Sequence, residues 1–203
     1  GCLSWKGWIS VVIYLLFGSI VTKIGYKFKR NIGIAEKRGG KRGPENVWGS
    51  AATGLFFAIM IQLNFANLLF YKIGFAASFA AKLADTFGSE IGKRFGGNTY
   101  LITSLKKVDR GTEGGISLEG TIASAIGSIL MSSIMLVLSI ITTSNQFLIV
   151  AISGFLATIS ESIIGAKFQE KYKLSNELVN AIQTSISSII AIFIFISYLN
   201  LTN

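Results

Sequence analysis

The chain has 203 residues, 51% hydrophobic and 14% charged, with a formal net charge of +9 and a mean hydropathy of +0.58. Soluble domains carry about a quarter charged residues, so the composition excludes an ordinary soluble protein and points to a membrane one. With no His and with Cys2 alone, the chain excludes His-ligated zinc, imidazole acid–base catalysis, a disulfide framework and a Cys-based metal site.

Apolar runs of roughly 20 residues, the length that crosses a bilayer, predict six helices over 5–25, 46–63, 65–94, 116–142, 146–168 and 177–199. Alternating segments of about ten residues, as in a β-barrel, are not seen. The opening Gly1-Cys2 without Met is read as a missing or processed start. The first run continues past signal-peptide length without a small-residue cleavage pattern and is read as a span. The expected fold is all-α, a polytopic membrane helix bundle forming one domain over 1–203, with a bend in the third helix near Gly74.

Sixteen of the 19 Lys and Arg residues fall in three segments, 23–45, 93–115 and 167–176. Six spans put all three on one side. The positive-inside rule makes that side cytoplasmic and leaves both termini outside. The same charge attracts anionic headgroups. Spread over loops between spans, it does not suit nucleic acid.

The first basic segment, "RNIGIAEKRGGKRGPENVWGSA" (30–51), interleaves glycines with Lys37, Arg38, Lys41 and Arg42, an arrangement that suits an anionic ligand. Asn46 is placed to cap the second helix and Trp48 to sit at the interface. On the third helix, Lys82, Asp85, Ser89, Gly92, Lys93 and Gly96 share one face at 100° per residue, with Glu90 on the flank. Ionisable groups among spans face the bundle or a wet cavity and mark function. The plainer reading is a Lys82–Asp85 ion pair beside small-residue packing.

"DRGTEGGISLEGT" (109–121) follows. Gly111, Gly114 and Gly115 free backbone N–H groups ahead of a helix, with Arg110 and Thr112 as further donors, which suits a phosphate. A plain flexible loop fits equally. Gly120, Ser124, Ser128 and Ser132 form a close-packing seam on the fourth helix. On the fifth, Gly154, Thr158, Glu161, Gly165 and Gln169 share a face. On the sixth, Asn176, Asn180, Gln183 and Ser187 form a polar stripe, either interhelical glue or part of a polar wall.

Buried acids want a cation, and basic glycine loops want phosphates. Mg²⁺ takes one or two carboxylates together with phosphate oxygens and water. Phosphoryl transfer needs positioning and charge neutralisation more than covalent chemistry, so a chain without His can perform it. Together these features point to phosphate chemistry on an amphiphile whose tail stays in lipid.

"ENVWGSAATG", "ADTFGSEIGKRFG", "RGTEGGISLEGT", "ESIIGAKFQ" and "NELVNAIQT" occur in this order. Together they resemble the TMEM19-like (DUF92) integral membrane family, and residues 22–50 look like its phytyl-phosphate kinase branch. The segment around Asp85 is also similar to the CTP-dependent phytol and dolichol kinases and the CDP-lipid synthases. The resemblance implies transfer of a phosphoryl group from a nucleoside triphosphate, CTP first, to an isoprenoid monophosphate such as phytyl or geranylgeranyl phosphate. It implies Asp85, Glu90 and Glu161 as catalytic residues and holders of Mg²⁺. Lys93, Arg94, Arg110 and Thr112 would hold donor phosphates. Lys23, Lys41, Arg42, Glu45, Asn46, Ser50, Lys82, Ser89, Glu119, Gln169, Asn176 and Asn180 would line the headgroup or nucleotide pocket. The implied partners are isoprenoid monophosphate, nucleoside triphosphate and membrane lipid, at a cytoplasmic-side site. A homo-oligomer is left open, since the glycine and serine seams suit packing within one bundle or between two. The alternatives are a CDP-lipid-forming cytidylyltransferase, a transporter or flippase of a phosphorylated lipid, and a purely structural scaffold.

Overall fold

A computed structural model describes residues 3–36, 39, 44–63 and 68–202; the side chains of residues 44–47, 49 and 50 lie outside that description. Among the described residues there are six long helices. α1 spans Ser4–Lys23. A left-handed Gly25 (φ +60°) then turns the chain into the short α2, Tyr26–Asn31. Glycine is required there twice over: its φ disfavours a side chain, and a Cβ would lie 2.1 Å from Arg94 Cδ. α3 spans Pro44–Gln62 and α4 Leu68–Phe95. α5 spans Leu118–Val137, α6 Ser144–Ile164 and α7 Asn176–Thr202.

α4 is the axis of the bundle, packed against α1, α3, α5, α6 and α7. Every residue from Ile73 to Ala84 is buried. Most of this run is Ala, Gly or Ser, which lets neighbouring backbones approach closely. α4 runs unbroken through Gly74, where the bend was expected. A Cβ there would lie 2.6 Å from the Phe57 ring, so this glycine makes room for α3. Serines of α7 donate into α4's backbone, Ser187 Oγ to Ala77 O at 2.9 Å and Ser188 Oγ to Gly74 O at 2.8 Å. The lower half of the predicted polar stripe on α7 is therefore interhelical glue.

Among the described residues, four helices are long and apolar enough to cross a membrane: α1, α5, α6 with the turn that follows it, and α7. α3 contributes a shorter apolar stretch, Ala51–Gln62. α4 packs against the other five long helices and keeps Lys82 and Glu90 buried, so it carries charge without presenting it to hydrocarbon.

The connection after α4, expected to be a loop over 95–115 with a helix from 116, instead contains a small antiparallel sheet ordered β2-β1-β3 that extends to Ile116. Its strands are β1 (Thr99–Leu101), β2 (Lys107–Val108) and β3 (Gly115–Ile116), with Thr99 opposite Val108 and Tyr100 opposite Ile116. Strands of two or three residues are too short for an alternation to register in sequence. The sheet folds the glycine-rich turn 109–114 back onto the bundle. α6 ends in a π-helical turn, Gly165–Gln169, of the kind often found at functional sites.

Side chains from two of the three basic segments, 23–45 and 93–115, meet at this end of the bundle. The Phe28 ring lies under the guanidinium carbons of Arg94 and Arg110, at 4.7 and 5.7 Å. Gly114 (φ +72°) abuts the π turn so closely that a Cβ would be 2.4 Å from Ala166 Cβ.

Candidate functional site

Two helices set the walls of a cavity at the basic end. α4 presents Asp85, Gly88, Ser89, Gly92 and Lys93, and α5 presents Ser117, Gly120, Thr121 and Ser124. They touch through their glycines: a Cβ on Gly88 would lie 2.0 Å from Ser124 Oγ, and one on Gly120 2.9 Å from Gly88 O. α6 closes the third side with Phe155, Thr158, Ile159, Glu161 and Ser162, and the turn Gly111–Ile116 forms the roof. The cavity holds about 160 Å³.

Asp85 and Glu161 therefore face one space. Asp85 is held from below. Lys82 Nζ donates to Asp85 Oδ2 at 2.5 Å and to Asn180 Oδ1 at 2.7 Å, tying α4 to α7. The simple ion pair foreseen at Lys82–Asp85 is thus real, and it sits at the cavity's edge. Glu161 accepts a long hydrogen bond from Ser162 Oγ at 3.5 Å.

Glu90 goes elsewhere. It is buried and paired with Lys29 of α2, whose Nζ also donates to Thr22 O at 2.9 Å. The expected convergence of Asp85, Glu90 and Glu161 does not form. Five residues at 100° each put Glu90 about 140° around the helix from Asp85. Arg94 and Arg110 are also turned away. Arg94 stacks on Phe28 and Phe95, and Arg110 Nη1 donates to Arg94 O at 3.2 Å. Glu119 lies on the opposite side of α5, at the end of an apolar groove between α1, α4 and α5. Lys23 is exposed at the end of α1 and does not line the cavity. Gln169 and Asn176 pair with each other at 2.6 Å. Lys93, Ser89 and Thr112 do line the cavity, and Thr112 Oγ1 donates to Asp109 O at 2.8 Å. Lys41 and Arg42, and the side chains of Glu45, Asn46 and Ser50, lie outside the described residues.

Glu113 was missed by the sequence reading. It sits in the roof turn, facing the same cavity. Loss of hydration raises its carboxyl above the usual range; Lys93 pulls it down, and Asp85 and Glu36 push it up again. Carboxylates facing one small space repel unless a cation or a proton sits among them. Among the described residues, no three acidic groups stand close enough to hold an ion unaided. The oxygen-only donor set of Asp85 and Glu161 fits Mg²⁺, which completes its shell with phosphate and water.

Residues 1–189 match the family described as Integral membrane protein DUF92. The chain belongs to that family. This DUF92 chain is 44% identical over 192 residues to the uncharacterized membrane protein sll0875 of Synechocystis sp., covering 94% of this chain and 74% of that one. It is 41% identical over 203 residues to Protein VTE6, chloroplastic, of Arabidopsis thaliana, covering 95% of this chain and 61% of VTE6. It is 30% identical over 193 residues to the uncharacterized membrane protein MJ0933 of Methanocaldococcus jannaschii, covering 95% and 77%. No solved structure matches. In this DUF92 chain Lys29 was read as one of many loop charges, yet it is completely buried. Neither it nor Glu113 lies on a periodic segment that would have signalled its surroundings.

Proposed function

We propose that this DUF92 protein is a prenyl-phosphate kinase that converts an isoprenoid monophosphate to the diphosphate at the expense of a nucleoside triphosphate. The observation that carries the reading is one cavity in which carboxylates on α4 and α6 face Lys93 and a glycine-rich roof. Family membership, the resemblance to the phytyl-phosphate kinase branch and the likeness to VTE6 over nearly the whole chain support the substrate class.

In this reading a phosphate oxygen of the monophosphate forms a bond to the γ-phosphorus of the donor. The bond from that phosphorus to the β–γ bridging oxygen breaks, and the nucleoside diphosphate leaves. The attacking oxygen is already anionic, so no general base is required. Asp85 and Glu161 would hold Mg²⁺, which supplies charge neutralisation on the phosphates when bound. Lys82 and Asn180 fix the Asp85 carboxylate. Lys93 and the backbone of the roof turn at Gly111 and Gly114 would meet donor phosphate oxygens. CTP is the favoured donor, by likeness to the CTP-dependent lipid kinases. The bundle crosses the membrane six times, counting α3 and α4, with the basic end cytoplasmic.

The test is turnover by purified protein given phytyl or geranylgeranyl phosphate, Mg²⁺ and each of ATP, CTP, GTP and UTP in turn. Prenyl diphosphate and the nucleoside diphosphate are expected. No diphosphate from any combination ends the reading, and release of pyrophosphate replaces it with cytidylyl transfer.

A further inference from the structure

The cavity reaches exposed residues in two directions. At the basic end it is bounded by exposed Gly111, Thr112 and Glu113 of the roof turn. Partway down the bundle it is bounded by Thr121 of α5 and Ile159 of α6, which are also exposed. The second direction follows from how these two helices cross. Ser128 Oγ donates to Ala151 O at 2.7 Å, and a Cβ on Gly154 would be 2.4 Å from Ser128 Oγ. Nothing bulkier than these residues would let the backbones meet there. One to two turns nearer the basic end, the same helices stand apart on either side of the cavity. Phe155 and Ile159 line α6's side of the gap, and Thr121 lines α5's. Both helices are apolar enough to be spans. A gap between them opens onto hydrocarbon, whereas the roof opens onto water.

We infer that the V between α5 and α6 is a lateral portal through which the hydrocarbon chain of a phosphorylated lipid leaves the cavity, with Phe155 and Ile159 in contact with that chain. The water-soluble co-substrate enters beneath the roof turn. The portal is continuous with the polar cavity. The larger apolar groove between α1, α4 and α5, about 570 Å³, lies across the glycine-packed α4–α5 seam from Asp85. A lipid whose phosphate sits beside Asp85 and Glu161 therefore has its direct exit at Phe155 and Ile159. The inference rests on the kinase reading for the prenyl chain, but not for the route of a lipid tail.

The experiment uses the full chain in nanodiscs without nucleotide. One arm carries a C20 prenyl monophosphate with a diazirine in its chain, the other a diacyl phosphatidic acid with a diazirine in one acyl chain. Labelled residues are mapped by mass spectrometry, with unlabelled phosphorylated lipid as competitor. Competable label on Thr121 of α5 and on 152–163 of α6 is expected, without label on Ile122 or Ile126 of the other groove, and is reduced about tenfold by Ile159→Trp, which fills the gap from an exposed position. Phe155→Ala, which widens the gap, should keep the label. Label on the flank from phosphatidic acid alone supports the portal and overturns the prenyl substrate. Competable label on Phe17, Ile20, Phe87 or Ile91 from either probe, or no competable label on the flank, overturns the portal.

Discussion

Four charged side chains are deeply placed on or against α4, and their pairing divides them by role. Lys29 and Glu90 satisfy each other, and neither lines the cavity that Asp85 and Glu161 face. Removing one partner of such a pair leaves an unpaired buried charge, which costs about 3–5 kcal/mol. Lys29→Met should therefore lower thermal stability sharply, and Lys29→Met with Glu90→Gln should recover most of the loss. Lys82 and Asp85 are paired too, but at the edge of a cavity that a ligand can enter. Glu113 adds a titration that can be read separately. Although the residue is exposed, its carboxyl is raised mainly by the hydration it loses against the roof turn, so the folded state holds the proton more tightly than the unfolded one. That contribution favours folding at low pH and is lost as pH rises through the folded value. In metal-free buffer Glu113→Gln should melt above the wild-type protein near pH 7, with the gap closing towards about pH 4. A gap independent of pH would show that the group is not held as described. The face shared by Lys82, Asp85, Ser89, Gly92 and Lys93 was legible because helical periodicity fixes it. Glu90 could have been set aside by the same arithmetic. Glu113 could not have been found, because a turn residue carries no period.

At the scale of elements, the contact between α4 and α5 positions the site. Gly88 lies against Ser124, and Gly120 against Gly88. Gly88→Ala should push the two helices apart, lowering both stability and turnover. Adding Ser124→Ala, which removes the nearest atom, should restore part of both, as a double-mutant cycle would measure. The roof depends on Gly114. Its φ of +72° and the nearness of Ala166 mean that Gly114→Ala carries a backbone cost of about 1–3 kcal/mol in addition to a clash. Turnover should fall further than stability, because what moves is the roof. Six long helices were readable from apolar runs, with ends displaced by a few residues. The α5 end is one case: the chain turns at Ser139 (φ +55°), where the apolar run 116–142 gave no sign of a stop. α2 and the three short strands were not readable, being too brief for any period to establish itself. The π turn was invisible for a different reason, since Gly165–Gln169 continues an ordinary helical pattern in sequence.

As a whole, the molecule is built on an axial helix enclosed over most of its length by its neighbours, with its polar end opened into a cavity near which two basic segments meet. Charge in the sequence predicted which connections share a side, and the contacts among Phe28, Arg94, Arg110 and Ile34 bring two of those segments together. Single cysteines introduced at Lys107 and Lys171 should be labelled by an impermeant reagent from the same, cytoplasmic side, and one at Asn145 from the other. Labelling of all three from one side would overturn the six-span arrangement. The central claim, that Asp85 and Glu161 serve one phosphate-handling cavity while Glu90 does not, is tested most directly by prenyl diphosphate formation in three purified variants. Asp85→Asn and Glu161→Gln should each lose about 100-fold or more in turnover while remaining folded, and correctly folded Glu90→Gln should retain it. Turnover of Asp85→Asn or Glu161→Gln at the wild-type rate would contradict the account.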